Sequence, residues 1–319
     1  MPKDLHELPR LDDGWSYLYV EHCKIDRDEK AIAITDAEGK INVPCASLAL
    51  LMIGPGTSIT HEAIKTMAEN GCMAVWCGEG GVRFYAHGTG ETRKGTKLVR
   101  QALLASHPLL RQKVVERMYR MRFVEPIPEG YSIQQLRGME GQRVRQAYAK
   151  ASVETGVPWL GRSFDPGNWS SADPVNRALS AANSCLYGIC HAAIISAGYS
   201  PGLGFIHTGK QLSFVYDIAD LYKVDITVPI AFQSVVRWKQ AQQQQSTQPN
   251  LERMVRQACR DKFNEINLLS RIIPDIEKAL DVAMPEEIIP DDYDVDIVVP
   301  GKIWDPDAGS LPGGVNYDK

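Results

Sequence analysis

The chain has 319 residues, of which 44% are hydrophobic and 23% are charged, and this length and balance are typical of a folded protein with one or two large domains. We expect no segment apolar enough to span a membrane, and Met1–His6 lacks the apolar core of a signal peptide, so a cytoplasmic location is predicted. The seven cysteines are odd in number and lack the close spacing of zinc sites. We therefore expect buried free thiols rather than disulfides.

The formal net charge of −4 hides an uneven distribution along the chain. Residues 83–162 contain 15 Lys and Arg against 6 Asp and Glu, whereas residues 285–319 contain 2 against 9. A basic central region is typical of a nucleic-acid-binding surface. Solvated helix faces are the alternative explanation for the same pattern.

Residues 1–90 are predicted to form an N-terminal β-domain with one short helix and a linker. Runs of β-branched and aromatic residues predict strands, and Asp36–Gly39 predicts the turn of a hairpin. Thr60 is placed to cap a helix that ends near Asn70 and Gly71, and the polar segment His87–Gly95 is the predicted linker. The predicted strands are Trp15–Val20, Ala31–Thr35, Ile41–Val43, Ser47–Ile53, Met73–Trp76 and Val82–Tyr85.

Residues 91–284 are predicted to form a larger α-helical catalytic domain, which makes the fold class α+β with two domains. Apolar residues recur at spacings of three and four, and Gln240–Gln248 interrupts them as a predicted loop. The predicted helices are Leu109–Phe123, Ser132–Val153, Pro174–Ala197, Val228–Lys239, Leu251–Ile272 and a last short helix from Pro274 to Leu280.

The acidic tail, residues 285–319, is rich in Pro and Gly and is expected to be disordered by itself. It retains apolar residues at Ile297–Val299 and Ile303–Trp304. We hypothesise that Asp291–Trp304 becomes ordered by adding a strand to the sheet edge of a partner protein.

Three short segments contain the residue types that metal-assisted phosphodiester chemistry requires. His207 lies in a glycine-rich segment, Asp217 and Asp220 follow it, and Glu140 lies upstream between Gly138 and Gly141. Carboxylates bind hard divalent cations, and Mn²⁺ also accepts an imidazole.

Each of these features also has an ordinary structural explanation. An aspartate pair is more often a solvated surface, and a lone histidine is more often packed than bound to a metal. Glycines inside a helix destabilise it, so Gly138 and Gly141 predict a close approach by another helix or by a ligand. The segment Gly204–Gln211 is similar to a phosphate-binding loop but has Gln211 where a Ser or Thr is needed, which argues against nucleotide hydrolysis.

The same segments resemble the signature blocks of the CRISPR adaptation integrase, the subunit that inserts new spacers into a CRISPR array, and subtype I-E is the most similar branch. The likeness covers roughly residues 15 to 280. Three blocks in the right order and spacing make the match specific, and they are Arg137–Gly141, Gly204–Gly209 and Ser213–Asp220. The likeness also includes Gly80–Arg83 and Ser184–Gly188.

The resemblance implies an N-terminal β-domain, a helical C-terminal domain and a homodimer that assembles with a small ferredoxin-like partner protein. It also implies that Glu140, His207 and Asp220 bind a divalent metal, Mg²⁺ or Mn²⁺, and that Asp217 supports the site. Phe164 stands where this branch often has a tyrosine, so a hydroxyl contact there is not expected.

The resulting hypothesis is a DNA integrase that joins the 3′-hydroxyl ends of a short double-stranded fragment, with single-stranded 3′ ends, to a target strand by transesterification. Lys210 is expected to stabilise charge on the phosphate. Aromatic residues are expected either to stack on the single-stranded ends or to be core residues. The expected DNA-binding residues are Lys65, Arg83, Arg137, Arg145, Arg162, Phe164, Trp169, Tyr187 and Lys210.

Two other functions fit the same residues. One is a stand-alone metal nuclease that acts on branched DNA or RNA with water as the nucleophile. The other is a non-catalytic DNA-binding scaffold whose tail recruits a partner. The sequence does not distinguish a water molecule from a 3′-hydroxyl as the attacking group.

Overall fold

The computed structural model describes residues 17–29, 31–88, 95–162, 173–244, 249–285 and 303–311. Strands dominate the first part of the chain and helices the rest, which confirms the α+β class. The eight N-terminal strands are β1 (Tyr17–Val20), β2 (Lys24–Asp28), β3 (Ala31–Thr35), β4 (Lys40–Pro44), β5 (Leu50–Ile53), β6 (Ser58–Ile59), β7 (Met73–Cys77) and β8 (Phe84–Gly88).

These strands form two four-stranded sheets, ordered β1-β5-β7-β8 and β4-β3-β2-β6. In the first sheet β1, β5 and β7 are parallel and β8 is antiparallel to β7. All four residues of β5 are buried, as an apolar run in a central parallel strand requires. Helix α1 (His61–Glu69) precedes β7, and the Thr60 side chain accepts a hydrogen bond from the backbone N–H of Ala63, so the predicted cap is confirmed.

The sequence prediction missed β2 and β6. Ile25 is the single buried residue of β2, which reads Lys-Ile-Asp-Arg-Asp, so the strand lacks the apolar alternation on which the prediction depends. It is a strand because it pairs along its whole length with β3. His87 and Gly88, predicted as linker, belong to β8, while residues 89–94 lie outside the described part of the chain.

The helical region begins with a helix that was not predicted, α2, and helix ends elsewhere differ from the predictions by several residues. Between α6 and α7 one π-helical turn covers Lys223–Thr227. The helices are α2 (Thr96–Ser106), α3 (Pro108–Arg120), α4 (Ile133–Thr155), α5 (Pro174–Ser196), α6 (Ser213–Ala219), α7 (Val228–Gln244), α8 (Leu251–Glu265) and α9 (Leu268–Leu280).

The prediction of a single helix over Leu251–Ile272 is wrong, because two helices cover this part of the chain. Asn267 has a φ of 50°, a left-handed conformation that ends a right-handed helix, so α8 and α9 are separate. Pro274 does not open a helix as predicted but lies inside α9. The predicted loop Gln240–Gln248 is also shorter, because α7 continues to Gln244.

Part of the acidic tail is ordered, contrary to expectation. Strand β9 (Ile303–Asp305) pairs antiparallel with β10 (Gly309–Leu311), and the Trp304 side chain is exposed. The strand that contains Trp304 therefore already has one neighbour within the chain. The rest of Asp291–Trp304 lies outside the described residues.

Helix α5 is the centre of the helical region. Its buried side chains belong to an apolar cluster that also includes Leu50, Met73 and Val75 of the first sheet. Contrary to our expectation, α5 is long and apolar enough to cross a membrane by composition alone, but 67% of its most apolar stretch is buried inside the protein, which is the packing of a core helix.

All seven cysteines are free and buried, as predicted.

Strand β8 packs directly on α5. The ring of His191 on α5 stacks on Phe84 with a centroid distance of 3.8 Å. A Cβ atom on Gly188 would lie 3.0 Å from the Arg83 backbone, so glycine permits this close approach. Burial, with repulsion from His87, lowers the pKa of His191 to about 4, and the imidazole is therefore neutral in the folded protein at neutral pH.

We expect the His191→Phe variant to lose part of the acid sensitivity of the fold. The folded-state pKa lies below the ordinary value, so the stability due to neutral His191 is complete above about pH 6.5 and decreases as the pH falls towards 4. After a discount for partial exposure this decrease amounts to about 1–2 kcal/mol. Urea unfolding between pH 4 and 7 measures it, with His61→Phe as the exposed control; parallel pH profiles for wild type and His191→Phe would contradict the assignment.

Candidate metal and nucleic-acid site

The segment that contains His207 lies between α5 and α6 and is fixed by one buried carboxylate. Asp217 on α6 is 0% exposed. It accepts the backbone N–H groups of Phe205, Ile206 and His207 at 2.6, 3.0 and 2.8 Å, and its Oδ1 lies 2.7 Å from His207 Nδ1. Several hydrogen bonds to one ionised carboxylate stabilise it strongly, so Asp217 determines where the imidazole lies.

Side chains from α2 and α3 hold the same segment from the other side. Gln101 is 0% exposed; it donates to the carbonyls of Ser200 and Leu203 and accepts from the Ser200 N–H. Both Nε and one terminal nitrogen of Arg111 donate to the Phe205 carbonyl at 2.8 and 2.7 Å. A Cβ atom on Gly204 would overlap the His207 carbonyl, so glycine is needed where the segment folds back on itself.

This arrangement leaves one nitrogen of His207 for a ligand. Since Nδ1 is occupied by Asp217, Nε2 is the nitrogen that can bind a cation, which is the usual arrangement of a metal-binding histidine and its supporting carboxylate. The hydrogen bond to Asp217 raises the pKa of His207, burial opposes the rise, and the nearby Asp220 adds to it. The side chain is 43% exposed, so it borders open space.

Asp217 and Asp220 do not form a solvated surface pair, although that was the ordinary alternative for their spacing. Asp217 is fully buried, whereas Asp220 caps the C-terminal end of α6 and has a side chain that is 21% exposed. The two carboxylates therefore have separate structural roles, one orienting His207 and the other facing cations.

Arg122, which follows α3, joins Glu140 to Asp220. Its side chain is 5% exposed and its guanidinium lies 4.9 Å from the ring centre of Tyr119. One terminal nitrogen lies 3.4 Å from Glu140 Oε1 and the other 3.7 Å from Asp220 Oδ2. Two residues that are 80 positions apart in sequence are thus brought to one guanidinium.

Two further cations contact the other oxygens of these carboxylates. Arg143 Nε lies 3.2 Å from Glu140 Oε2, and Lys223 Nζ lies 2.6 Å from Asp220 Oδ1. Burial acts to lower the pKa of Lys223, but Asp220 and Tyr187 outweigh it and the pKa is raised, so the ammonium is charged. Lys223 Nζ also lies 4.8 Å from the ring centre of Tyr187.

The predicted ligands Glu140, His207 and Asp220 thus border one region, but the carboxylate oxygens face protein cations. Within the described ranges, no three His, Cys, Asp or Glu side chains form a ready-made metal site. The donor set still fits a hard divalent cation, because it combines carboxylate oxygens with a supported imidazole. Buried nitrogen atoms of Arg122 and Arg143 also lack hydrogen-bond partners in the described structure. The two guanidinium groups therefore do not use their full hydrogen-bonding capacity on these carboxylates.

The predicted DNA-binding residues occupy different parts of the surface. Lys65 lies on α1 and pairs with Glu69. Arg162 donates to Asn176 and Ser180, and Lys210 is exposed beside the His207 segment. Tyr187 is half-buried and packs edge-on against Tyr216 at 5.0 Å. Phe164 and Trp169 lie outside the described residues.

The glycines around Glu140 do not mark a helix crossing in the described structure. A Cβ atom on Gly138 would have nothing within 4 Å, and one on Gly141 would meet only the end of Arg145. Arg137, Gly141 and Arg145 are spaced by four and share one stripe of α4, and both arginines are exposed. An open stripe of this kind suits close approach by a ligand. This is the second of the two explanations given above for Gly138 and Gly141, the first being close approach by another helix.

A second basic region surrounds the predicted residue Arg83, and it includes arginines of α8 that the sequence analysis did not predict. Arg83, Tyr85 and Arg256 line one surface pocket together with Glu79. Arg253, one turn before Arg256 on α8, lies 3.9 Å from Glu79. No local signal in the sequence relates α8 to β8, because only the fold places them together.

Comparisons with known proteins agree on one family. The profile described as CRISPR associated protein Cas1 matches residues 110–266. CRISPR-associated endonuclease Cas1 2 of Thermus thermophilus is 52% identical over 99% of this chain and 94% of its own length. CRISPR-associated endonuclease Cas1 of Escherichia coli K12 is 42% identical over 96% and 97%. The chain belongs to the Cas1 family.

Solved structures agree with this assignment. The crystal structure of a TtCas1–DNA complex matches with a TM-score of 0.77 and 53% identity, over 85% of this chain and 98% of that one. A casposase bound to an integration product shares the fold, with a TM-score of 0.51 and 15% identity over 83% and 95% of the two chains.

We expect Gln101→Leu to loosen the His207 segment. The substitution leaves three backbone groups of Ser200 and Leu203 without a buried partner, at a cost of about 2–4 kcal/mol in the free energy of unfolding. Hydrogen–deuterium exchange of residues 200–207 should accelerate, with the exposed Gln112→Leu on α3 as the matched control. Unchanged exchange in this segment would show that Gln101 does not hold it.

Proposed function

We propose that this chain is the catalytic subunit of a divalent-metal-dependent DNA integrase, which joins the 3′-hydroxyl ends of short DNA fragments to a CRISPR array by transesterification. Membership of the Cas1 family supports the CRISPR role. The observation that carries the catalytic proposal is the convergence of Glu140 and Asp220 on Arg122, with His207 close enough to Asp220 for its pKa to respond.

Glu140, Asp220 and Nε2 of His207 would hold the metal. When bound, Mg²⁺ or Mn²⁺ would activate the attacking hydroxyl and neutralise charge on the phosphate. Asp217 holds the imidazole in one tautomer and orientation through Nδ1. Lys223, buried and charged beside Asp220, and the exposed Lys210 supply positive charge for the transferred phosphate or the leaving oxygen.

The DNA duplex would lie over two groups of basic residues at the surface. The stripe of Arg137, Gly141 and Arg145 allows close approach of a sugar–phosphate backbone, because Gly138 and Gly141 leave open space. Arg83 and Arg256 provide a second phosphate-binding region. Such contacts fix position rather than sequence, and the similarity to a TtCas1–DNA complex supports DNA as the ligand.

We propose further that the chain acts as a homodimer bound to a small ferredoxin-like partner protein, as subtype I-E-like members of the family would. The exposed Trp304 on the β9–β10 hairpin supports a docking role for the tail.

We expect Glu140→Gln and Asp220→Asn to abolish strand joining while duplex binding and the fold persist. Each variant removes one anionic ligand at nearly constant volume, so the rate should fall by more than about a hundredfold, the loss that supporting residues alone cause. The assay mixes supercoiled plasmid with a labelled short duplex in Mn²⁺ or Mg²⁺, and Glu116→Gln, whose carboxylate pairs with Arg120, is the matched control.

The products of that assay also separate the alternatives. Labelled duplex joined to plasmid supports integration, whereas nicked plasmid without joining indicates a nuclease that uses water. Activity that persists in EDTA, or in either carboxamide variant, would refute the metal assignment.

Replacing both Arg83 and Arg256 with glutamine should lower the affinity for duplex DNA. It should also make that affinity less dependent on salt concentration, because fewer phosphates are neutralised by the protein. Each lost phosphate contact reduces the slope of log affinity against log salt by about 1. Fluorescence anisotropy with a labelled duplex at several salt concentrations measures both quantities. Lys150→Gln, which removes an exposed lysine paired with Glu154, is the control, and an unaltered slope in the double variant would exclude this region from the DNA interface.

A further inference from the structure

The carboxylates of the proposed centre are fully engaged by cations of the chain itself. Glu140 has Arg122 on Oε1 and Arg143 on Oε2, and Asp220 has Arg122 on Oδ2 and Lys223 on Oδ1. Two negative charges therefore face three positive ones among the described residues. A divalent cation that binds the same oxygens therefore enters a region where protein cations already outnumber these two carboxylates.

The three cations differ in how deeply their side chains are buried and in what else they contact. Arg143 has Asp225 as a second partner at 3.3 Å, and Lys223 has the ring of Tyr187 at 4.8 Å. Their side chains are 19% and 25% exposed, so both lie nearer to solvent than Arg122 does. Arg122 is 5% exposed and stacks on Tyr119, so its charge stays in the site.

The contacts of Arg122 are long for charged hydrogen bonds. Its nitrogens lie 3.4 and 3.7 Å from the carboxylate oxygens, whereas optimal N⁺–H···O⁻ pairs are about 2.7–2.9 Å apart. Its Nε and one terminal nitrogen have no hydrogen-bond partner in the described structure. This buried arginine therefore contributes mainly charge neutralisation, since two neighbouring carboxylates that are largely removed from water repel each other without a cation.

We propose that Arg122 is an internal counter-ion, a positioning residue that substitutes for a divalent cation between Glu140 and Asp220. It keeps the two ligands together when no metal is bound, and it makes folding of this region independent of metal. Because its charge remains in place, it also weakens metal binding and keeps the metal exchangeable. This inference deepens the proposed function, since it takes Glu140 and Asp220 as the metal ligands.

The first test is made without metal. In EDTA, Arg122→Met should lower the thermal midpoint by about 5–10 °C, because both carboxylates lose their shared cation. Adding Glu140→Gln to Arg122→Met should restore at least half of that loss, since one carboxylate charge then no longer needs compensation. Additive losses in this double-mutant cycle would overturn the proposal, as would an Arg122→Met protein that does not fold and is not restored by Glu140→Gln.

The second test measures Mn²⁺ binding directly by electron paramagnetic resonance of the free ion. Arg122→Met should bind Mn²⁺ about tenfold more tightly than wild type, and Mn²⁺ should raise its thermal midpoint by a larger amount. Arg122→Lys keeps the charge and should behave as wild type. Equal or weaker Mn²⁺ binding by Arg122→Met would overturn the proposal.

Arg120→Met is the matched control, because Arg120 lies two residues earlier and binds Glu116 and the carbonyls of Ile127 and Pro128. It should lower stability equally with and without Mn²⁺. Different results would contradict the proposed function rather than the role of Arg122. In that case wild type would bind no Mn²⁺, or the Glu140→Gln variant would bind Mn²⁺ as tightly as wild type. The metal-free cycle would still decide the role of Arg122.

Discussion

The site depends above all on the carboxylate of Asp217. It is fully buried, and in the part of the chain that the structure describes it forms no ion pair with a lysine or arginine. Instead it accepts hydrogen bonds from three consecutive backbone N–H groups and lies 2.7 Å from the ring nitrogen Nδ1 of His207. A buried carboxylate is costly unless its oxygens are all hydrogen-bonded. The backbone conformation that supplies the hydrogen bonds of Asp217 is therefore also the one that orients the His207 ring with Nε2 unoccupied by Asp217. One carboxylate thus sets both the local fold and the direction of the imidazole.

A second constraint is charge. Among the described residues, three cations contact the two carboxylates of Glu140 and Asp220, so positive charge exceeds the negative charge of this pair. Arg143 and Lys223 also contact Asp225 and the ring of Tyr187, whereas Arg122 is 5% exposed and packs on Tyr119. Arg122 is therefore the most deeply buried of the three cations.

Patterns within short stretches of sequence predicted much of the fold, and they were wrong where tertiary contacts decide. The cap at Thr60 and the strands β3 and β7 follow from local propensity. Strand β2 was missed because pairing with β3, rather than its own apolar pattern, makes it a strand. The break at Asn267 was missed because helical periodicity continues through it, and only the packing of α8 and α9 requires the turn.

The sequence by itself determined the fold class, the free buried cysteines and the three segments that contain Glu140, His207 and Asp217–Asp220, because residue type and spacing are local properties that the chain displays directly. Only the tertiary structure decided that Asp217 is a buried anchor rather than a surface charge, that Gln101 and Arg111 hold the His207 segment, and that Arg122 joins Glu140 to Asp220. These contacts join residues up to about a hundred positions apart, and no periodicity encodes them, since they arise only when separate helices pack together in the folded chain.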